Sequence, residues 1–231
     1  MEGADKKKSK IWKWAKRFLI VLGILFAIFI STIIQPAVFL PHDKIEISLP
    51  FAPEYDADVH LIPMGEIEEW HNASTGSPDG HPGIDFQWNR EVEIRSVGDG
   101  GITRVYLNHE GEYIVEQSLG LYYRTMYQEL NRLAPGIDTS SEVKKGELIG
   151  YTSYHRTEFG DGPPDPSHPS MQLHWDFASS SMLVGRLCPL GYFDAESRKR
   201  IEKIWERVKS KGNYKKEFPD SCNGAFKNKE K

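Results

Sequence analysis

The sequence predicts a mainly β fold: a compact antiparallel β-sheet domain, with a transmembrane helix on its N-terminal side and a helix on its C-terminal side. From about residue 60 onward, short apolar runs alternate with Gly, Asp and Pro at close intervals, which is typical of strands joined by turns. Residues 18–34 form an uncharged, mostly apolar run, and residues 195–211 form an amphipathic helical pattern. The order of these features places a single β domain between two helices.

The net charge of −4 is an average over two unlike parts of the 231-residue chain. Residues 1–17 contain seven Lys/Arg and two acidic residues, so this stub carries a charge of +5. The rest of the chain contains 22 basic and 31 acidic residues and carries −9. Because phosphate binding requires a cationic face, the acidic body predicts no nucleic-acid partner.

The apolar run and its continuation, residues 18–40, are interpreted as an uncleaved signal-anchor. Seventeen helical residues extend about 25 Å, and about 20 cross a bilayer core. Trp12 and Trp14 precede the run at the level of the membrane interface. The basic flank is expected to stay cytoplasmic, which makes this a single-pass membrane protein with a periplasmic or extracellular C-terminal domain.

Two alternatives to the anchor stay open, a cleaved signal peptide and a buried helix of a soluble domain. No Ala-x-Ala-like site follows the run promptly, which favours an anchor over a cleaved peptide. The one-sided charge favours it over a buried helix.

The exported part is divided into a Pro- and acid-rich linker, 41–59, the β domain, 60–195, and a helix with a polar tail, 196–231. A loop with four prolines, 156–170, precedes the last strand of the domain, because so many prolines exclude regular structure. The predicted strands are 83–88, 92–97, 101–108, 113–117, 122–130, 148–152 and 172–177.

The chain has two cysteines, Cys188 and Cys222, both in the exported part. An oxidising compartment would allow them to pair and to attach the C-terminal tail to the domain. The alternative is two unpaired buried thiols.

Two short fragments contain the candidate metal-binding residues. The first has His81 and Asp85 four residues apart across a glycine, and the second has His174 in a predicted strand. Two imidazoles and a carboxylate are a three-ligand set suited to zinc, with the fourth position left for water. Zinc in such a site supports metal-assisted hydrolysis. Taken alone, each fragment is ordinary, because a histidine and an aspartate four apart more often form a hydrogen-bonded turn.

Five motifs in a fixed order resemble those of the lysostaphin-type (LytM-like) zinc metallopeptidases, bacterial enzymes that cut the cross-bridges and stem peptides of cell-wall peptidoglycan. The resemblance covers about residues 60–195. It implies a compact, mostly antiparallel β fold with a groove that holds Zn²⁺, and a peptidoglycan peptide as substrate. The motifs are HPGIDF at 81–86, VGDGGI at 97–102, YQEL at 127–130, VKKGELIG at 143–150 and QLHW at 172–175.

Carried over by position, the resemblance implies that His81, Asp85 and His174 are the metal ligands. Glu129 and Gln172 stand where the family has two further histidines, which serve as base and as stabiliser of the oxyanion. A glutamate beside zinc can act as a general base, and a glutamine can donate a hydrogen bond to an oxyanion although it cannot carry a proton. The metal site therefore matches the family, whereas the catalytic pair has been replaced.

Three functional hypotheses follow. The first is a membrane-anchored zinc metalloendopeptidase with Glu129 as general base and Gln172 as oxyanion donor. The second is a catalytically degenerate metal-binding domain that recognises cell wall or regulates another wall hydrolase, with a wall-hydrolase or divisome-type protein as partner. The third is a membrane-tethered β domain without metal.

Four further residues have a functional and an ordinary interpretation. His155 and His168 either replace a missing imidazole or are exposed loop residues. Asp176 lies on the strand face of His174 and is a candidate for orienting a ligand imidazole. Arg124 either binds a substrate carboxylate or is an exposed strand arginine.

Overall fold

The computed structural model describes residues 2–31, 45–65, 80–154, 171–180, 185–210 and 221–222. Helix α1 spans Glu2–Phe29 and helix α2 spans Ala195–Ser210, with short 3₁₀ turns at Pro53–Tyr55 and Pro189–Gly191. The strands are β1 (His60–Ile62), β2 (Ile84–Trp88), β3 (Glu93–Arg95), β4 (Gly100–Leu107), β5 (Tyr113–Leu119), β6 (Tyr123–Leu133), β7 (Glu142–Val143), β8 (Leu148–Tyr154) and β9 (Met171–Ser179).

The strands form one sheet in the order β1-β2-β9-β8-β6-β5-β4-β7, with β3 paired to β8 and a further pairing between β6 and β9. Each of these pairings is antiparallel. The predicted mainly β, antiparallel fold with a C-terminal helix is therefore confirmed. Each of the seven predicted strands is present, with its ends shifted by up to three residues.

Two strands, β1 and β7, were not predicted. They contain three and two residues, which is too short for alternation of apolar and polar side chains to be recognised. Their positions are determined by tertiary pairing, β1 with β2 and β7 with Gly100 and Gly101 at the start of β4.

The segment assigned to a linker contributes to the core. Ile47, Leu49, Phe51 and Val59 are buried, and the Phe51 ring packs edge-on against Trp88 with ring centroids 5.0 Å apart. Full burial of such a side chain contributes roughly 1.5–3 kcal/mol. The alternation of apolar residues from 45 to 51 is the sequence signal of this packing.

Helix α2 packs on the domain through the predicted apolar face, since Ile201, Ile204, Trp205 and Val208 are all buried. Its first turn is capped by Asp194, whose Oδ1 accepts a hydrogen bond from the Ser197 backbone N–H at 2.8 Å. Cys188 and Cys222 form a disulfide, which is the paired one of the two alternatives that the sequence left open. The Met64 backbone N–H donates to the Ser221 carbonyl at 2.9 Å, so residues 221–222 are attached beside β1.

At the N-terminal end, α1 covers the first part of the predicted anchor 18–40, and residues 32–44 lie outside the described residues. The apolar side chains from Phe18 to Ile30 are exposed. No helix within the described part of the chain has the combination of length and apolar character that crossing a membrane requires.

Loss of the disulfide is expected to destabilise the domain. The bond joins residues 34 positions apart, and closing a loop of that length stabilises a protein by about 3–4 kcal/mol in the chain-entropy model. Cys222→Ser should therefore lower the midpoint of thermal unfolding, as should a reductant on the wild type. The double variant Cys188→Ser/Cys222→Ser is the control, since a reductant should leave its midpoint unchanged. Equal midpoints for oxidised and reduced wild type would contradict this expectation.

Candidate functional site

The pairing of β2 with β9 brings the two predicted metal-binding fragments together. Asp85 and His174 are direct cross-strand partners and therefore share one face of the sheet. His81 lies just before β2 and is fixed by two backbone hydrogen bonds with Gly65, at 2.8 and 2.9 Å. Candidate ligand atoms of His81, Asp85 and His174 all lie within 4.8 Å of one another.

Asp85 is the centre of this group. Its Oδ1 lies 2.6 Å from His174 Nδ1 and 3.2 Å from His81 Nε2. The other nitrogen of His81, Nδ1, lies 2.9 Å from the Pro63 carbonyl oxygen. Because a carbonyl oxygen accepts, Nδ1 donates in this contact, and Nε2 is the ring nitrogen that faces Asp85.

The environment keeps Asp85 ionised even though it is buried. Burial alone would raise its pKa, but the charges of His81 and His174 outweigh that effect, and the pKa lies well below its usual range. For His174, burial lowers the pKa, while Asp85 and Asp176 raise it, and the net result is a pKa well above the usual value. The group therefore contains a fixed negative charge, which suits a cation.

Asp176 holds the far side of the His174 ring, with its Oδ2 3.6 Å from His174 Nε2. It accepts hydrogen bonds from Arg186 Nε at 2.9 Å and from Gln128 Nε2 at 2.8 Å. Burial would raise the pKa of Asp176, but His174 and Arg186 lower it overall. A fixed carboxylate at Nε2 leaves Nδ1 directed toward Asp85, which is the orienting arrangement expected from the sequence.

Gly83 allows the two fragments to approach closely. A Cβ at this position would lie 2.5 Å from the Trp175 carbonyl oxygen and 2.9 Å from His174 Nε2. Both contacts are shorter than van der Waals distances, and the carbonyl belongs to the backbone of a core strand. The glycine between His81 and Asp85 is therefore a requirement of the site geometry.

Glu129 occupies an unusual backbone position in β6. The strand pairs with β9 up to Gln128 and with β8 from Leu130 onward, and Glu129 lies at the change of partner with a φ of 64°. Its pKa is raised to about 7, mainly by burial and then by the negative charge of Asp85. A carboxylate with this pKa exchanges a proton near neutral pH.

Gln172 lies two residues before His174 on β9 and is its neighbour on the same face of the strand. Its Oε1 accepts a hydrogen bond from Gln87 Nε2 at 2.5 Å, and its side-chain amide lies close enough to the Glu129 carboxylate to lower the pKa of that group. Gln87, which follows Asp85 by two residues on β2, was missed by the sequence analysis. The alternation of side chains along a strand was the available signal.

The five predicted site residues therefore lie close together in the structure. The roles assigned to them stay predictions. His155 and His168 lie outside the described residues. Two imidazole nitrogens and an ionised carboxylate oxygen form a group able to hold a metal ion, and this donor set suits zinc.

A comparison with known families supports this assignment of the domain. Residues 79–180 match the model of peptidase family M23. This segment of the chain is thus similar to the M23 peptidases. This confirms the resemblance to lysostaphin-type peptidases, and the matched segment contains β2 to β9 with all five site residues. No curated protein is significantly similar to the chain.

Several solved structures are distantly similar to this chain. Csd3 of Helicobacter pylori is 21% identical over 73% of this chain and 42% of its own, with a TM-score of 0.45. A zinc-containing peptidase from Vibrio cholerae is 17% identical over 62% and 39%, with a TM-score of 0.45. The catalytic domain of lysostaphin from Staphylococcus simulans is 14% identical over 61% and 96%, with a TM-score of 0.43. The chain thus spans less than half the length of the first two.

We expect the β domain to bind about one zinc ion through His81, Asp85 and His174, and Asp85→Asn to weaken binding. Removing the central negative charge should cost more than the roughly 10–100-fold typical of losing a residue that merely orients a ligand. Metal content after dialysis against a limiting chelator measures the affinity. Asp138→Asn, in an exposed turn, is the matched control. Unchanged zinc content in both Asp85→Asn and His81→Ala would exclude this group as the metal site.

Gly83→Ala should disturb the site through the backbone. The added methyl group must displace Trp175 or His174, which is expected to cost about 1–3 kcal/mol in stability and to reduce zinc affinity. Chemical denaturation and zinc titration measure the two effects. Gly191→Ala is the control, since nothing lies within 4 Å of a Cβ at that position. Equal free energies of unfolding of the two variants would contradict this expectation, because the close approach at Gly83 would then not be required.

Proposed function

We propose that the protein is a membrane-anchored zinc metalloendopeptidase that hydrolyses amide bonds in peptidoglycan peptides. The observation that carries the proposal is the position of the Glu129–Gln172 pair beside the His81, Asp85 and His174 group. The M23 match over the same segment supports a peptidase-like function.

In the proposed mechanism, His81, Asp85 and His174 hold zinc, which supplies the Lewis acidity that polarises the scissile carbonyl and acidifies water. Glu129 removes a proton from the attacking water and returns it to the leaving amine nitrogen. A pKa of about 7 suits both steps, because about half of the carboxylate is available as a base at neutral pH and its conjugate acid is strong enough to donate.

Gln172 is assigned two hydrogen bonds in this mechanism. Its Oε1 is occupied by Gln87, so its two amide N–H groups point away from β2. One N–H holds the Glu129 carboxylate, and we assign the other to the oxyanion that develops on the scissile carbonyl. Glutamine thereby replaces the charge-stabilising role of a histidine without moving a proton.

We further propose that residues 18–40 anchor the protein in the membrane, with the basic stub in the cytoplasm and the M23 domain periplasmic or extracellular. The charge asymmetry about the apolar run supports this orientation. The exposed apolar side chains of α1 and the disulfide between Cys188 and Cys222 are further support.

A second candidate function is a catalytically degenerate M23 domain that binds metal and recognises cell wall or regulates another wall hydrolase. The observation that favours it is the replacement of two family histidines by Glu129 and Gln172. A wall-hydrolase or divisome-type partner belongs to this alternative. The two functions differ in whether the zinc-loaded protein releases peptides.

Glu129→Gln should remove hydrolysis but retain zinc. Loss of a general base typically lowers turnover 10²–10⁴-fold, by about 3–5 kcal/mol, whereas the three metal ligands are unchanged. Release of muropeptides from purified sacculi measures turnover, and metal analysis measures zinc. Glu110→Gln, in an exposed turn, is the matched control.

Full activity of Glu129→Gln would remove this residue from the mechanism. If the zinc-loaded wild type releases no peptide from sacculi, the hydrolase proposal is wrong and the degenerate domain is the function supported.

A further inference from the structure

Two arginines lie in one row across the sheet, at a distance from the metal group. Arg124 on β6 is the cross-strand partner of Ala178 on β9, and Ala178 is bridged on its other side to Arg186. Directly opposed residues in antiparallel strands share a face. The two guanidinium groups therefore flank Ala178 on the same face, and the small alanine side chain leaves space between them.

This face is also the face of the candidate metal site. Side chains alternate along β9, so His174, Asp176 and Ala178 all project from the same side of the sheet. Four residues of strand separate His174 from Ala178, which is about 13 Å at the usual rise of a strand. An extended peptide lying along this face would cover that distance with about four residues.

A cavity of about 90 Å³ opens at the arginine row. That volume is several times the roughly 10–15 Å³ that one water molecule needs by the same measure, so it has room for a carboxylate group. Its lining includes Arg124, Thr125, Met126, Asp176, Ala178 and Arg186.

The charge of the cavity is positive in spite of Asp176. Both oxygens of that carboxylate are engaged, Oδ1 by Arg186 and Oδ2 by Gln128. Arg124 is exposed and forms no ion pair with a residue that the structure describes. Two guanidinium groups and one hydrogen-bonded carboxylate give this cavity a net positive charge. The rest of the chain outside residues 1–17 carries a net charge of −9.

We propose that this cavity binds a free carboxylate of the peptide substrate, with Arg124 and Arg186 as its hydrogen-bond donors. Guanidinium groups match the planar geometry of a carboxylate, and the resulting bonds are charge-assisted. The inference rests on the proposed function for the presence of a wall peptide along this face. It selects peptides with a free carboxylate about four residues from the scissile bond over peptides in which that group is amidated.

The test compares two peptide probes on the zinc-loaded full chain in detergent, in the Glu129→Gln background so that no turnover occurs. One probe is muropeptide released from sacculi by a muramidase, and the other is the same material with its carboxylates converted to methylamides. Calorimetric titration should show that the amidated probe binds at least about 10-fold more weakly than the probe with free carboxylates. In Arg124→Gln the ratio of the two dissociation constants should fall to near one.

Two further variants separate a binding role from a structural one. Arg186→Lys keeps a positive charge beside Asp176 but loses the planar fork, and it should reduce the ratio partly. Arg104→Gln removes an exposed arginine on β4, outside the cavity, and should leave the ratio unchanged. Thermal unfolding establishes that each variant is folded.

Equal affinity of both probes, or an unchanged ratio in Arg124→Gln, overturns the carboxylate site. Digestion of sacculi by the wild-type chain, measured in parallel, tests the proposed function separately. Absence of peptide release with the carboxylate preference intact overturns the hydrolase proposal and upholds the site. Failure of both probes to bind overturns the carboxylate site, while digestion of sacculi still decides the hydrolase proposal.

Discussion

The register between β2 and β9 is the constraint on which the candidate site depends. It sets Asp85 opposite His174 and Gln87 opposite Gln172, so that a metal-binding pair and a hydrogen-bonded amide pair project from one face. A slip of one residue would transfer each of these side chains to the opposite face. Ile84 opposite Trp175, both buried, and the close backbone approach at Gly83 hold the register in place.

Charges of alternating sign connect the metal group to the arginine cavity. Asp85 contacts His174, His174 contacts Asp176, and Asp176 contacts Arg186. An ionised carboxylate is costly to bury unless it is paired, and each carboxylate here lies between two cationic or hydrogen-bonding neighbours. The same chain of contacts therefore offsets the cost of burial and fixes the direction of the ligand ring.

Sequence patterns predicted what depends on local periodicity and on motif order. Strands of five or more residues, the apolar face of α2 and the grouping of His81, Asp85 and His174 were all predictable. Strands β1 and β7 and the contact between Gln172 and Glu129 depend on tertiary register. The left-handed backbone of Glu129 was hidden for a related reason, because it arises where β6 exchanges one partner strand for another.

The attachment of residues 221–222 has a consequence for when the site can form. The Pro63 carbonyl that holds His81 Nδ1 immediately precedes Met64, and Met64 is paired with Ser221 and Cys222. A histidine in the first half of the chain is thus supported by residues more than 130 positions later. During biosynthesis this support is absent until residue 222 has left the ribosome, and its covalent form waits for oxidation of the two cysteines. Maturation of the site is therefore a late event, which follows the synthesis of residue 222 and the formation of the disulfide.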